Sequence, residues 1–146
     1  MFLLPVGAAA TALMFATDAL FAFASWRCPV AARAATSTRF RKLHGFVLKR
    51  EPLLAVVALL ACAALLARAG VSIPSAACLG AGAVIALVGH QVIYVKTGCL
   101  MRGFEASPVG SDAWRAAGGK LEIASVARAS LLAAALICLV SAGLLL

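Results

Sequence analysis

Charge is what this sequence has least of. Asp, Glu, Lys and Arg together make up 12% of its 146 residues, against about a quarter in a soluble domain. So little charge cannot cover a water-facing surface, which excludes an ordinary soluble domain. Acidic residues are scarcer still, five against thirteen Lys and Arg, for a formal net charge of +8. Such an excess raises nucleic acid as a partner. No recognisable nucleic-acid motif accompanies it, and the basic residues gather in two stretches, so no nucleic acid is expected. The five cysteines, Cys28, Cys62, Cys78, Cys99 and Cys138, are odd in number and widely spaced, with no CxxC pair and no Cys/His cluster. That excludes a disulfide framework and a zinc site of the usual spacing. Cys62, Cys78 and Cys138 sit in apolar runs and read as small hydrophobes. Neither a nucleophile elbow nor a phosphate-binding glycine loop occurs, so no catalytic residue is assigned.

What the chain has in quantity is apolar residues, 64% of the total, with a mean hydropathy of +1.06. A spanning helix needs roughly 20 of them to cross a hydrocarbon core about 30 Å thick. Four runs are candidates, at about residues 2–26, 52–67, 76–95 and 123–146, the second the shortest. The fold class expected is therefore all-α: an integral membrane four-helix bundle, one domain over residues 1–146, with two basic loops on one side. Ala22-Phe23-Ala24 looks like a signal-peptide cleavage site. Nothing basic precedes Arg27, however, so the charged n-region is missing and the first run reads as a spanning helix.

Orientation follows from the loops. Arg27, Arg33, Arg39, Arg41, Lys42, Lys49 and Arg50 lie between the first two runs, and Lys96, Arg102, Arg115 and Lys120 between the last two. The turn between the second and third runs carries only Arg68, followed by Gly70 and Pro74. The positive-inside rule then puts both basic loops in the cytoplasm of a bacterium or the matrix of a mitochondrion, in the inner membrane of either, with both termini opposite. Arg39, Arg41, Lys42, Lys49 and Arg50 are candidate contacts for anionic lipid headgroups or a partner. Phe40, Leu43 and Val47 recur among them at helical spacing, which fits either a short interfacial helix or an ordinary basic connector. The stretch from Lys96 to Glu122, rich in glycine, reads as a long loop and a partner surface, with Trp114 anchoring it at headgroup level.

Three ionisable residues fall inside the apolar runs: Asp18, His90 and Arg128. At 1.5 Å per residue, Asp18 lies about 12 Å, and His90 and Arg128 about 8 Å, from the basic side. All three share one leaflet and could meet inside the bundle, with Thr17, Gln91, Tyr94 and Ser125 near them. Such groups are costly in a membrane and have a partner or a task. Asp18 and His90 could carry protons while Arg128 holds an anion. Equally, Asp18 and Arg128 could form an ion pair that fixes helix packing, or Arg128 could snorkel to the interface. Haem between two histidines is not expected, because the other histidine, His44, sits in the basic loop. A metal centre is not expected either, since Asp18 and His90 are the only usual ligands at that depth.

The first run ends Phe21-Ala22-Phe23-Ala24, followed by Pro29 and Arg33, and Trp114 precedes a last helix that opens Ser125-Val126-Ala127-Arg128. In these landmarks and in layout the chain resembles the anthrone oxygenase-like family of small four-helix membrane proteins, with serine where that family has the asparagine of Asn-x-x-Arg. The family's polar Asn-Val-Pro-Leu-Asn stretch is absent from the matching region, Tyr94-Val95-Lys96-Thr97-Gly98. The resemblance implies topology, and the intramembrane residues Asp18, His90 and Arg128 open one functional alternative, an anthrone oxygenase-like membrane enzyme or small-molecule carrier that uses them. The composition itself leads to a different expectation: a non-catalytic accessory or assembly subunit of a larger membrane complex, such as a respiratory one, with no cofactor and with other membrane subunits as partners.

Overall fold

In the computed structural model, residues 2–27, 50–68 and 70–145 are described, the side chains of residues 20–27 and 81 excepted. They form four helices and no strand: α1 (Leu3–Arg27), α2 (Glu51–Leu66), α3 (Ile73–Ala106) and α4 (Asp112–Leu144). The architecture is all-α. Two of the helices, α3 and α4, are long and apolar enough to cross a membrane. Arg39, Arg41, Lys42 and Lys49, like the Phe40-Leu43-Val47 pattern, lie outside the described residues.

Residue chemistry sets the helix ends. Glu51 and Pro52 open α2, an acid favoured by the helix dipole and a proline with no amide to lose. Ser72 caps α3, accepting from the Ser75 amide at 3.3 Å, and Ser111 caps α4, accepting from the Trp114 amide at 3.1 Å. Within α3 the Cys78–Val84 stretch is a π-helix, the kind of bulge a run of small residues permits.

Consecutive helices run antiparallel. At one end Gly7 of α1 faces Ala61 of α2, and Leu4 packs over Gly143 of α4. There too Ser75 donates to the Ala142 carbonyl at 3.1 Å and Ser72 to the Leu145 carbonyl at 3.3 Å. These bonds satisfy carbonyls that the end of α4 would leave orphaned. At the other end Phe104 stacks on Trp114, with centroids 5.1 Å apart. Helix α4 packs against both α1 and α3, and α1 also against α2. The core between them is built largely of small side chains (Ala10, Ala55, Ala58, Ala83, Ala135, Ala142) with Met14, Leu79, Leu87, Leu132 and Leu139.

The polarity is reversed relative to a water-soluble bundle. Leu13, Leu60, Ile85, Ile123 and Ile137 are each at least 60% exposed, while Asp18, Glu51, His90 and Arg128 are at most 2% exposed.

The expected loop from Lys96 to Glu122 is not a loop. Helix α3 continues to Ala106 and α4 starts at Asp112, leaving only residues 107–111 as the connection. Gly98, Gly103, Gly118 and Gly119 are helical. A helical glycine costs only about 1 kcal/mol relative to alanine, too little to end helices joined by the Phe104–Trp114 stack. The true turn is at Gly110, whose φ of +86° favours glycine.

Gly82 marks the closest contact of the π segment with α4: a Cβ there would lie 2.8 Å from Cys138 Cβ and overlap its Sγ. Gly82→Ala should therefore lower the thermal midpoint, by the about 1–3 kcal/mol typical of overpacking. Gly80→Ala, with nothing within 4 Å, should leave it unchanged or raise it slightly. Thermal melts followed by circular dichroism check both, and Cys138→Ala should restore part of the loss in Gly82→Ala.

Candidate functional site

Each helix has one buried stripe at three- and four-residue spacing, and each stripe carries one ionisable residue inward. In α1 the stripe is Gly7, Ala10, Thr11, Met14 and Asp18, and in α2 it is Glu51, Ala55, Ala58, Cys62 and Leu65. In α3 it includes Ala83, Ala86, Leu87 and His90, and in α4 it includes Leu121, Ser125, Arg128, Leu132, Ala135 and Leu139. Side chains so spaced share one helix face, so packing the apolar members together brings the four charged groups together as well.

His90 is the hub. Its Nε2 lies 3.0 Å from Asp18 Oδ2 and 3.1 Å from Glu51 Oε1. Arg128 Nη2 donates to Asp18 Oδ1 at 2.8 Å and to Glu51 Oε1 at 2.5 Å. On the other side of the imidazole, the Gln91 amide lies 3.0 Å from Nδ1. The Arg128 guanidinium also sits over the Tyr94 ring, 5.2 Å from its centroid, within cation–π range. One atom is left over: Arg128 Nε has no hydrogen-bond partner among the described residues although it is buried.

Asp18, His90 and Arg128, the three residues singled out by depth, are thus in direct contact. Of their expected companions, Gln91 and Tyr94 join the cluster, whereas Thr17 and Ser125 bond back to carbonyls of their own helices, those of Leu13 and Leu121. Snorkelling of Arg128 is not what occurs, since the residue is 1% exposed. Trp114 is no headgroup anchor: it is 5% exposed and packs on Phe104 inside the α3–α4 hairpin. Arg50 is exposed at the start of α2.

Glu51 is the residue that sequence reasoning missed. It sits next to Arg50 at the edge of an apolar run and reads there as an interfacial charge. The signal that finds it is the stripe Glu51-Ala55-Ala58-Cys62-Leu65, which places the carboxylate on the same face as four buried apolar residues. Its presence changes the chemistry available. Asp18, Glu51 and His90 each offer a ligand atom, all within 4.8 Å of one another. A set of two carboxylates and an imidazole replaces the two-residue set that spoke against a metal.

The charges do not balance. Two carboxylates face one guanidinium, so with His90 neutral the cluster carries one net negative charge. A proton shared by His90 and the carboxylates, or another bound cation, brings it to neutrality.

The chain matches no protein-family model, no curated protein and no solved structure.

Removing one partner of a buried charged pair costs about 3–5 kcal/mol, because the other is left uncompensated. Arg128→Gln leaves two carboxylates so placed and should be among the most destabilising single replacements in the protein. Adding Asp18→Asn to it should recover part of the loss. Chemical unfolding of the single and double variants measures the coupling, and simple additivity would show that the pair does not interact.

Proposed function

We propose that the chain is an integral membrane protein with four spanning helices, locked by the Asp18–Glu51–His90–Arg128 cluster, that serves as a non-catalytic accessory or assembly subunit of a larger inner-membrane complex. The observation that carries the membrane part is the reversed polarity: apolar side chains outside, ionisable ones inside. In water that arrangement would expose a continuous apolar surface, which soluble monomers avoid. In a bilayer it is the stable one, because lipid accepts the apolar exterior and every buried charge needs an internal partner. The lengths agree. At 1.5 Å per residue the 33 residues of α4 span about 50 Å, more than the roughly 30 Å core. Helices α3 and α4 then project beyond it at the end closed by Phe104 and Trp114. Lys96, Arg102, Arg115 and Lys120 are exposed towards that end, which the positive-inside rule assigns to cytoplasm or matrix.

Support for a subunit role comes from the cluster. Its four residues bond to one another from four helices and are sealed from the surface, the pattern of a lock that fixes those helices in register. The exposed end of the hairpin offers basic groups to anionic headgroups or to a neighbouring subunit.

A second reading, an enzyme or carrier for a small hydrophobic or anionic molecule, is favoured by one observation. Arg128 Nε is a buried donor lacking an acceptor among the described residues, and Arg128 is one of the landmarks through which the chain resembles the anthrone oxygenase-like family.

Extraction of the native membrane in mild detergent, followed by a native gel and mass spectrometry of the band, separates the two. A large band with fixed partner subunits is the expected result. A band containing this chain alone would count against the subunit reading and favour the second.

A further inference from the structure

We propose that Asp18, Glu51 and His90 form a binding site for one divalent transition-metal ion, with Arg128 beside the open coordination position. The site would belong to either an accessory subunit or an enzyme, so it goes beyond the choice between them.

Ligand chemistry comes first. Imidazole nitrogen and carboxylate oxygen are the donors that zinc, cobalt and related ions accept together, and here three donors arrive from three different helices. Spacing comes next. Ligands about 2.0–2.2 Å from a common metal lie roughly 3.0–3.5 Å from each other. His90 Nε2 is 3.0 Å from Asp18 Oδ2 and 3.1 Å from Glu51 Oε1, so small shifts open the triangle around an ion. Asp18 already divides its oxygens, with Oδ1 on Arg128 and Oδ2 turned to His90. Oδ2, bonded to His90 Nε2 in this structure, would turn to the ion while Arg128 keeps the carboxylate oriented.

The surroundings fit as well. A ligating histidine usually donates its second ring N–H to a neighbour that fixes the ring, and Gln91 is 3.0 Å from His90 Nδ1. Either end of that amide can face the ring, so with its oxygen there it accepts from Nδ1–H and leaves Nε2 to the metal. The charge count points to the fourth ligand. Two carboxylates, one guanidinium and a divalent ion sum to +1. A hydroxide or other small anion at the open position makes the site neutral, and Arg128 Nε is a buried donor without an acceptor among the described residues. Protons compete for the same ligands, so metal affinity should rise with pH as His90 and the carboxylates give them up.

The full chain, purified in mild detergent and stripped with a chelator, is loaded with Co²⁺ alone and desalted. Elemental mass spectrometry should find about one cobalt per chain, with visible absorption of a low-coordinate ion. Glu51→Gln and His90→Gln should each lose at least tenfold in affinity, and His44→Gln should lose none. X-ray absorption on the wild-type cobalt protein should show one imidazole among oxygen ligands, a readout that holds even if a variant fails to fold. Wild-type protein that retains no cobalt overturns the proposal, as does ligation without imidazole. Equal retention by folded Glu51→Gln and His90→Gln marks adventitious surface binding and overturns it too.

Discussion

Everything in this bundle depends on the contact between Arg128 and the two carboxylates of Asp18 and Glu51. One residue on α4 reaches two others on α1 and α2, and His90 on α3 closes the ring. A four-helix bundle lined by alanine and leucine is not well specified by its apolar contacts, because similar small side chains can slide past one another at little cost. A buried charge admits no such slippage. Moving α4 by one turn, about 5.4 Å, would separate the guanidinium from both carboxylates and leave all three desolvated without partners. The cluster therefore fixes register, a role for which buried polar groups are best attested.

The small residues have a complementary part. Gly7 against Ala61, Gly82 against Cys138 and Gly143 beneath Leu4 let backbones approach closely. Close approach is also what allows short carboxylate side chains such as Asp18 to reach across to α3 and α4. Packing and electrostatics are thus one constraint at this site. The alanine and glycine contacts set the distance between helices, and the charges set their axial position.

How much of this can be read from the sequence depends on whether the signal is local. Asp18, His90 and Arg128 stand out because each interrupts an apolar run, and helical rise alone puts them at similar depth. Glu51 does not stand out. It lies at a boundary, beside Arg50 and just before Pro52, where a charge needs no explanation. Only the inward face of α2 distinguishes it, and that face matters only once α2 is packed. The extent of α3 and α4 was hidden for the opposite reason: Gly98, Gly103, Gly118 and Gly119 with interspersed charges look like a loop. Their helical weakness is modest and is outweighed by the stacking of Phe104 on Trp114, a contact between residues on either side of the apparent loop. Trp114 was legible as an amphipathic ring, but not as one buried by its own hairpin.

The unequal count of charges links the site to its setting. On a water-facing surface a surplus carboxylate would be hydrated and carry no further meaning. In a sealed interior, hydration is not available, and an unbalanced charge beside apolar side chains is among the costliest arrangements a protein can hold. The chain keeps two carboxylates there, among only five acidic residues in all, and holds both within reach of a single imidazole. One Asp and one Arg would lock only α1 to α4. The second carboxylate and the histidine tie in α2 and α3, and the charge they leave unbalanced is the one a further positive species, proton or metal ion, would neutralise.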